Sequence, residues 1–356
     1  MNASPEPAEL AEVDPAAELG PRNSQAEGIG RVAAVAGMAA WNNLGRNVVF
    51  ADAQLRPRAV WASTRFPHDD EPSQYDLDVH AVLPVPSLDA VVVVNHLGDV
   101  RRFDRRQLEP AGPCRPVEPV GISSFRADVE RIVLLGGALV GSRPRAEGAA
   151  GLIVSQPLDG ATTEVLEVEA TGEHLGEVTA LEVLAGAGGG SLAVGGPGTV
   201  ALAGPGSRGL DRARWRRDVP FRTAVLAFDG RVLWAAGPNV TAEVDDYDWE
   251  SLTGGGYVGL DPADGSVLAT GPLPTDTAWG TGGVAVVPLG PYLAAVGRDG
   301  AVRLVEPRQG TMTTACGGRG EGSLGIAHAA VVGGHMVFGF NRGGFRVQAL
   351  TSPRTA

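Results

Sequence analysis

Apolar residues run along this chain in short bursts, separated by Gly-, Pro- or Asp-containing turns about every 8 to 12 residues, with no helical period of any length. One unit recurs: four or five apolar residues, a tight turn with Gly, and a second apolar run. The copies are RVAAVAGMAAWNN from Arg31, HAVLPVPSLDAVVVVNH from His80, RIVLLGGALVGS from Arg131, TALEVLAGAGGGSLAVGG from Thr179, TAVLAFDGRVLWAAGPN from Thr223, GVAVVPLGPYLAAVGRDG from Gly283 and HAAVVGGHMVFGFN from His328. These seven units lie about 45 to 60 residues apart.

A third apolar segment follows each hairpin, and usually a turn and a fourth, as in NVVFADAQLRPRAVWAS and GYVGLDPADGSVLAT. Short strands in groups of four, repeated around the chain, predict an all-β protein, a seven-bladed β-propeller of four-stranded blades. The two inner strands of each unit are apolar at nearly every position, the pattern of a strand covered on both faces. The stretch VHAVLPVPSLDAVVVVNHLGDVRRFD resembles a WD-repeat, and VGLDPADGSVLAT is similar to the strand-turn-strand of quinoprotein-like propellers. No Trp-Asp pair occurs in any unit, so the resemblance implies architecture over about 29 to 350, and neither a quinone cofactor nor a particular partner. The last unit has three strands, ending at FRVQALTSPRTA; either a piece near Glu18 to Ala26 supplies its outer strand or that blade stays three-stranded.

Composition narrows the chemistry. The net charge is −12, and all 29 basic residues are arginine, which removes Schiff-base and P-loop lysine mechanisms. An acidic chain repels nucleic acid and anionic membrane in bulk, and no apolar run approaches a membrane span. Residues 1–28, rich in Pro, Ala and Glu, are expected to form a flexible acidic tail without signal-peptide features, ahead of a single propeller domain over 29–356. Two cysteines, Cys114 and Cys316, form neither a disulfide framework nor a zinc spacing, and read as reduced thiols in the cytoplasm.

In a propeller the connections from second to third strand, and from fourth strand to the next first strand, open on one rim. Here that set contains the longer loops, 64–79, 116–130, 142–150, 236–256, 272–282 and 317–327, where binding is expected. Asp76, Asp78 and His80 alternate along a strand entry, so their side chains share one face and can supply ligands to a divalent metal; the other reading is a solvated entry in which an aspartate caps a turn. In AEVDDYDWESLTGGG, the residues Asp245, Asp246, Tyr247, Asp248 and Trp249 interleave carboxylates with aromatics, a composition suited to a cation or a basic partner.

Aligning the units places Arg31, His80, Arg131, Thr179, Thr223, Gly283 and His328 at the start of successive innermost strands, around the channel mouth. Arg31 and Arg131 there suit a small anionic ligand, His80 and His328 with Asp78 suit acid-base work, and the alternative is a ring of polar groups hydrogen-bonded about channel water. Asn42, Asn95, Asn239 and Asn341 recur where second strands end, and read as turn residues; His96 shares that rim with Asn95.

On the other rim, SRGLDRARWRRD carries Arg208, Arg212, Arg214, Arg216 and Arg217 about Trp215, and RRFDRRQ carries Arg101, Arg102, Arg105 and Arg106. These read as a patch for an acidic protein partner or as a solvated outer strand, ahead of nucleic acid. No Gly-x-Ser-x-Gly, His-Glu-x-x-His or Cys-x-x-Cys motif is found. The leading expectation is a cytoplasmic binding module that presents a loop-rich acidic face to a protein or peptide. The alternative is a metal-assisted hydrolase or lyase at the channel mouth.

Overall fold

The computed structural model describes residues 11–13, 29–35, 37–43, 47–62, 79–95, 98–109, 112, 114–125, 131–135, 137–143, 152–158, 166–169, 178–184, 190–203, 213–240, 252–279, 286–289, 292–297, 301–316, 326–332, 335–340 and 345–349. After β1 (Ala11–Val13), a sheet forms from β2 (Ile29–Val35), β3 (Met38–Asn43), β4 (Asn47–Ala51) and β5 (Pro57–Ala62). The second sheet has β6 (Val79–Val85), β7 (Ala90–Asn95), β8 (Asp99–Asp104) and β10 (Gly121–Ser124); between β8 and β10 the chain forms a one-turn helix, Arg105–Leu108, and β9 (Arg115–Pro116), which joins the first sheet. Next come β11 (Arg131–Leu135), β12 (Ala138–Arg143), β13 (Leu152–Pro157) and β14 (Leu166–Glu169), followed by β15 (Ala180–Leu184), β16 (Ser191–Ala203) and β17 (Ala213–Arg222). The chain continues through β18 (Val225–Phe228), β19 (Leu233–Gly237), β20 (Gly256–Leu260) and β21 (Val267–Pro272), then β22 (Val286–Leu289), β23 (Tyr292–Val296), β24 (Val302–Glu306) and β25 (Thr311–Cys316). It ends with β26 (Ile326–Val332), β27 (His335–Phe340) and β28 (Phe345–Ala349).

The fold is an all-β propeller. The innermost strands β2, β6, β11, β15, β18, β22 and β26 touch in succession, and β26 returns to β2. The expectation of seven four-stranded blades is corrected: the structure has five four-stranded blades, β6-β7-β8-β10, β11 to β14, β18 to β21, β22 to β25, and β26-β27-β28-β1. Two sheets depart from that pattern. One, β2-β3-β4-β5-β9, gains a fifth strand because β9 pairs in parallel with β5, Ala59 opposite Arg115 and Val60 opposite Pro116. The other, β15-β16-β17, has three, because the 13-residue β16 serves two neighbours in turn, pairing through Ser191–Gly195 with β15 and through Pro197–Ala203 with β17. At the start of the second half, where the register with β17 shifts between Pro197 and Thr199, stands Gly198 at φ 70°, a left-handed backbone that glycine adopts without a Cβ clash. Leu192 and Val194 share a cluster with Ala201 and Ala203, so the buried parity changes across this bend.

The last blade is closed from the N-terminus, but by Ala11–Val13, with Ala11 opposite Val347 and Val13 opposite Phe345. The Glu18–Ala26 segment expected for that role lies outside the described residues.

The core lies between sheets rather than within a single layer pair. Val48, Phe50 and Trp61 of the five-stranded sheet pack on Val91, Val93 and Phe103 of its neighbour, and the Phe103 ring stands 5.5 Å from Phe50 and 5.4 Å from Trp61. On the opposite face of the same strands, Trp41, Val49 and Ala51 pack on Ala330, Val332 and Val337. Both faces of an inner strand are therefore buried, which is why β7 and β20 are buried at every position and read in the sequence as continuous apolar runs.

Candidate functional site

The starts of the innermost strands ring one rim, and three of the aligned residues are linked there. Arg131 donates from Nε to the Thr179 carbonyl at 3.0 Å. The Thr179 hydroxyl donates to the Thr223 carbonyl and stands 3.3 Å from the Gly195 carbonyl, and both threonines are buried. The amide of Thr179 donates to Gly195 at 2.8 Å and that of Thr223 to Gly196 at 3.2 Å. Arg131, Thr179 and Thr223 thus connect three consecutive sheets at the channel mouth. The Arg131 Nε and both threonine hydroxyls are used by the fold itself.

The next stretch of the rim is tighter still. Arg222 and Gly237 approach so closely that a Cβ on Gly237 would stand 1.7 Å from the Arg222 carbonyl oxygen. The Arg222 amide donates to Pro238 at 3.1 Å, that of Leu273 to Gly255 at 2.9 Å, and the Trp279 indole to Gly254 at 2.5 Å. Only glycine permits this contact, and the sequence supplies it.

The asparagine at the end of β7 holds a turn. Asn95 is buried, its Oδ1 accepts from the Asp99 amide at 2.8 Å and its Nδ2 donates to Asp99 at 3.3 Å. Beside it Arg101 is 5% exposed and 3.8 Å from Asp99; burial lowers its pKa from the usual arginine value, with Asp99 opposing. Arg101 and Arg102 lie on β8, inside the blade rather than on the opposite rim.

His80 and His328 lie on β6 and β26, and Arg31 on β2, each at or beside a break in register between the innermost strand and its partner. The breaks fall between Ile29 and Val32, between Val79 and Ala81, and between Ile326 and His328. Such bulges bend a strand and re-aim a side chain, and their recurrence at one position makes them a feature of the repeat. The side chains of Arg31, His80 and His328, and the whole of Asp76, Asp78, His96, Asp245, Asp246, Tyr247, Asp248 and Trp249, lie outside the described residues. Among the described residues no group of three or more His, Cys, Asp or Glu is placed to hold a metal ion.

One group escaped the sequence reading. Glu182 sits on the innermost strand β15 between buried Leu181 and Leu184, and burial pushes its carboxyl up to about 7, with the Val183 amide opposing. The signal was present in TALEVLAG, where a single acid interrupts an apolar strand.

Solved structures of similar shape include two WD40 propeller domains. The WD40 β-propeller domain of Doa1 covers 93% of this chain and 95% of its own at 11% identity, with a TM-score of 0.56. The Neurospora crassa Pan2 WD40 domain covers 98% and 97% at 11% identity and TM-score 0.61, and a chain of a mitotic checkpoint complex 91% and 87% at 12% and 0.61. At such identities the likeness is one of fold: the chain is a WD40-like β-propeller. No protein-family model and no curated protein sequence matches it. Among the described residues no helix is long and apolar enough to cross a membrane.

Proposed function

We propose that the chain is a cytoplasmic propeller scaffold whose loop-bearing rim holds a basic segment of a protein or peptide partner. The observation that carries this reading is where the carboxylates lie. The connection between β5 and β6 holds Asp69, Asp70, Glu71, Asp76 and Asp78 against Arg65, and residues 241–251 hold Glu243, Asp245, Asp246, Asp248 and Glu250 with no basic residue. Both connections leave from the rim on which the innermost strands begin. Tyr247 and Trp249 add the large, stiff contact area that anchors protein interfaces. Neighbours of this shape include a chain of a multi-protein complex, which supports a scaffold role in general terms.

The test is an array of peptides differing in net charge, probed with the full chain and with an Asp245→Asn, Asp246→Asn, Asp248→Asn variant. Basic peptides bind the parent chain, weaken steeply with salt, and lose at least tenfold in affinity on the variant. Charge-indifferent binding, or binding untouched by the three substitutions, rules the reading out.

A further inference from the structure

β17 is unlike the other outer strands. It runs for ten residues, against four to six for β5, β10, β14, β21 and β25. Among the described residues nothing pairs with its outward edge, so half its backbone amides and carbonyls point away from β16. It is also basic: Arg214, Arg216 and Arg217 are exposed on a chain of net charge −12, and Asp218 is its single acid.

Two of the groups that would make such a strand a nucleic-acid site are already engaged. Trp215 donates from Nε1 to the Pro262 carbonyl at 3.0 Å and packs so tightly on Gly265 that a Cβ there would meet its ring at 2.7 Å. Arg217 donates from Nε to the Gly265 carbonyl at 2.8 Å. The ring is thus not a stacking platform for bases. Arg214 and Arg216 remain on the exposed surface, with Arg216 Nε steadied by the Thr199 hydroxyl at 3.1 Å. Two residues beyond Gly265, Val267 and Leu268 are 51% and 52% exposed at the start of the neighbouring outer strand.

The fold itself shows that a blade edge accepts another strand, since β9 extends the sheet beyond β5 and β1 extends it beyond β28. We propose that β17 is a second, lateral binding site, at which an acidic peptide in extended conformation adds a strand along Ala213–Val219. Its carboxylates meet Arg214 and Arg216, and apolar side chains rest on Val267 and Leu268. Pro220 lacks an amide and bounds the pairing at that end. This site is independent of the acidic rim.

The probe is a fluorescein-labelled decapeptide of alternating Glu and Val, measured by anisotropy against the full chain. Saturable binding is expected, weakened at least tenfold by Arg214→Glu with Arg216→Glu and unaffected by the rim variant. An analogue N-methylated at alternate amides, which cannot donate to a strand edge, should lose binding to the same degree, and the parent peptide should slow hydrogen exchange within 213–219. Binding that survives N-methylation, displacement by oligothymidylate with no loss in the N-methylated form, protection elsewhere on the chain, or no saturable binding each overturns the proposal.

Discussion

Two crossings between neighbouring sheets perform the same task by opposite means. From Arg222 at the end of β17 the chain reaches the innermost strand β18 through Thr223 and Ala224 alone, whereas from β5 to β6 it travels through residues 63–78. In the short crossing all three backbone amides are used at once, Arg222 to Pro238, Thr223 to Gly196 and Ala224 to Ala236. The backbone amides of that stretch of rim are all taken up by neighbouring backbone carbonyls. At the long crossing the two sheets are instead tied at their outer side: β9 pairs with β5, the Val117 amide donates to Val60 at 2.9 Å, and Arg58 reaches the Gly112 carbonyl at 3.3 Å. A connection can lengthen and take on acidic side chains when the sheets it joins are fastened elsewhere.

The sharpest way to break this contrast is Gly237→Ala. The clash is with backbone oxygen, which cannot swing aside, so the short crossing must open; we expect a loss of about 4 kcal/mol or more, read as a fall in melting temperature of roughly 10 °C. An unchanged melting curve would mean that the crossing is not close-packed.

Next in size is the carboxyl of Glu182 on β15. Because Glu182 holds its proton up to about 7 in the folded chain, against an ordinary value of 4.5, the folded state binds more protons than the unfolded one between those limits. Stability is therefore full below the ordinary carboxyl range, falls as pH rises toward about 7, and is flat beyond. The loss is on the order of 3 kcal/mol at most. Glu182→Gln should flatten this slope and raise stability at pH 8, as read from denaturant melts at several pH values. A wild-type slope that persists in the variant assigns it to another group.

The sequence carried the strands near the channel well and the outer edges poorly. Units beginning at Arg131, Thr179 and Thr223 align by apolar pattern, and those three residues do meet in space, because local periodicity and the turn residues suffice to set the inner hairpins. Edges depend on pairing between distant segments. Ala11–Val13 finds β28 from inside a Pro- and Ala-rich stretch, and Arg115–Pro116 joins β5 in parallel with β6, β7, β8 and the helix between them in the chain; neither two nor three residues make a hydrophobic period. The turn residues Gly196, Pro197 and Gly198 stand within β16, where its register with β17 shifts between Pro197 and Thr199. The candidate rim was legible as composition only, since carboxylates in long loops have no period by which sequence could place them.

A milder perturbation tests the outer tie at the long crossing. Val117 is buried against the Trp61 and Phe103 cluster while its amide bonds Val60. Val117→Ala removes two methyl groups from that cluster and should cost about 1 to 2 kcal/mol. Hydrogen exchange should accelerate chiefly within 112–120 and along β5, leaving β17 and β18 unchanged. If β18 loosens equally, the two crossings are not separate fastenings.

The smallest effect belongs to the turn that leads into β5. Asp52 accepts from the amides of Gln54 at 2.9 Å and Arg56 at 3.0 Å, and pairs with Arg58 at 2.6 Å and Arg56 at 3.0 Å, fixing a turn in which buried Leu55 adopts φ 63°. Burial raises its pKa, but the hydrogen bonds from the Arg56 amide, the Arg58 guanidinium and the Gln54 amide outweigh it, so the carboxyl lies below its ordinary value of 3.8. The folded chain therefore binds fewer protons than the unfolded one near that value. The added stability is present at neutral pH and disappears as pH falls through the acid range. Asp52→Asn keeps acceptors for the two amides and loses the ion pairs with arginine, so at pH 7 it should cost less than about 1 kcal/mol. The difference between variant and parent should vanish in acid, where the parent carboxyl is protonated. The two carboxylates thus bend the stability curve from opposite ends, Asp52 on the acid limb and Glu182 on the neutral limb. A titration of both variants against the parent separates the contributions of the two carboxyls by pH alone.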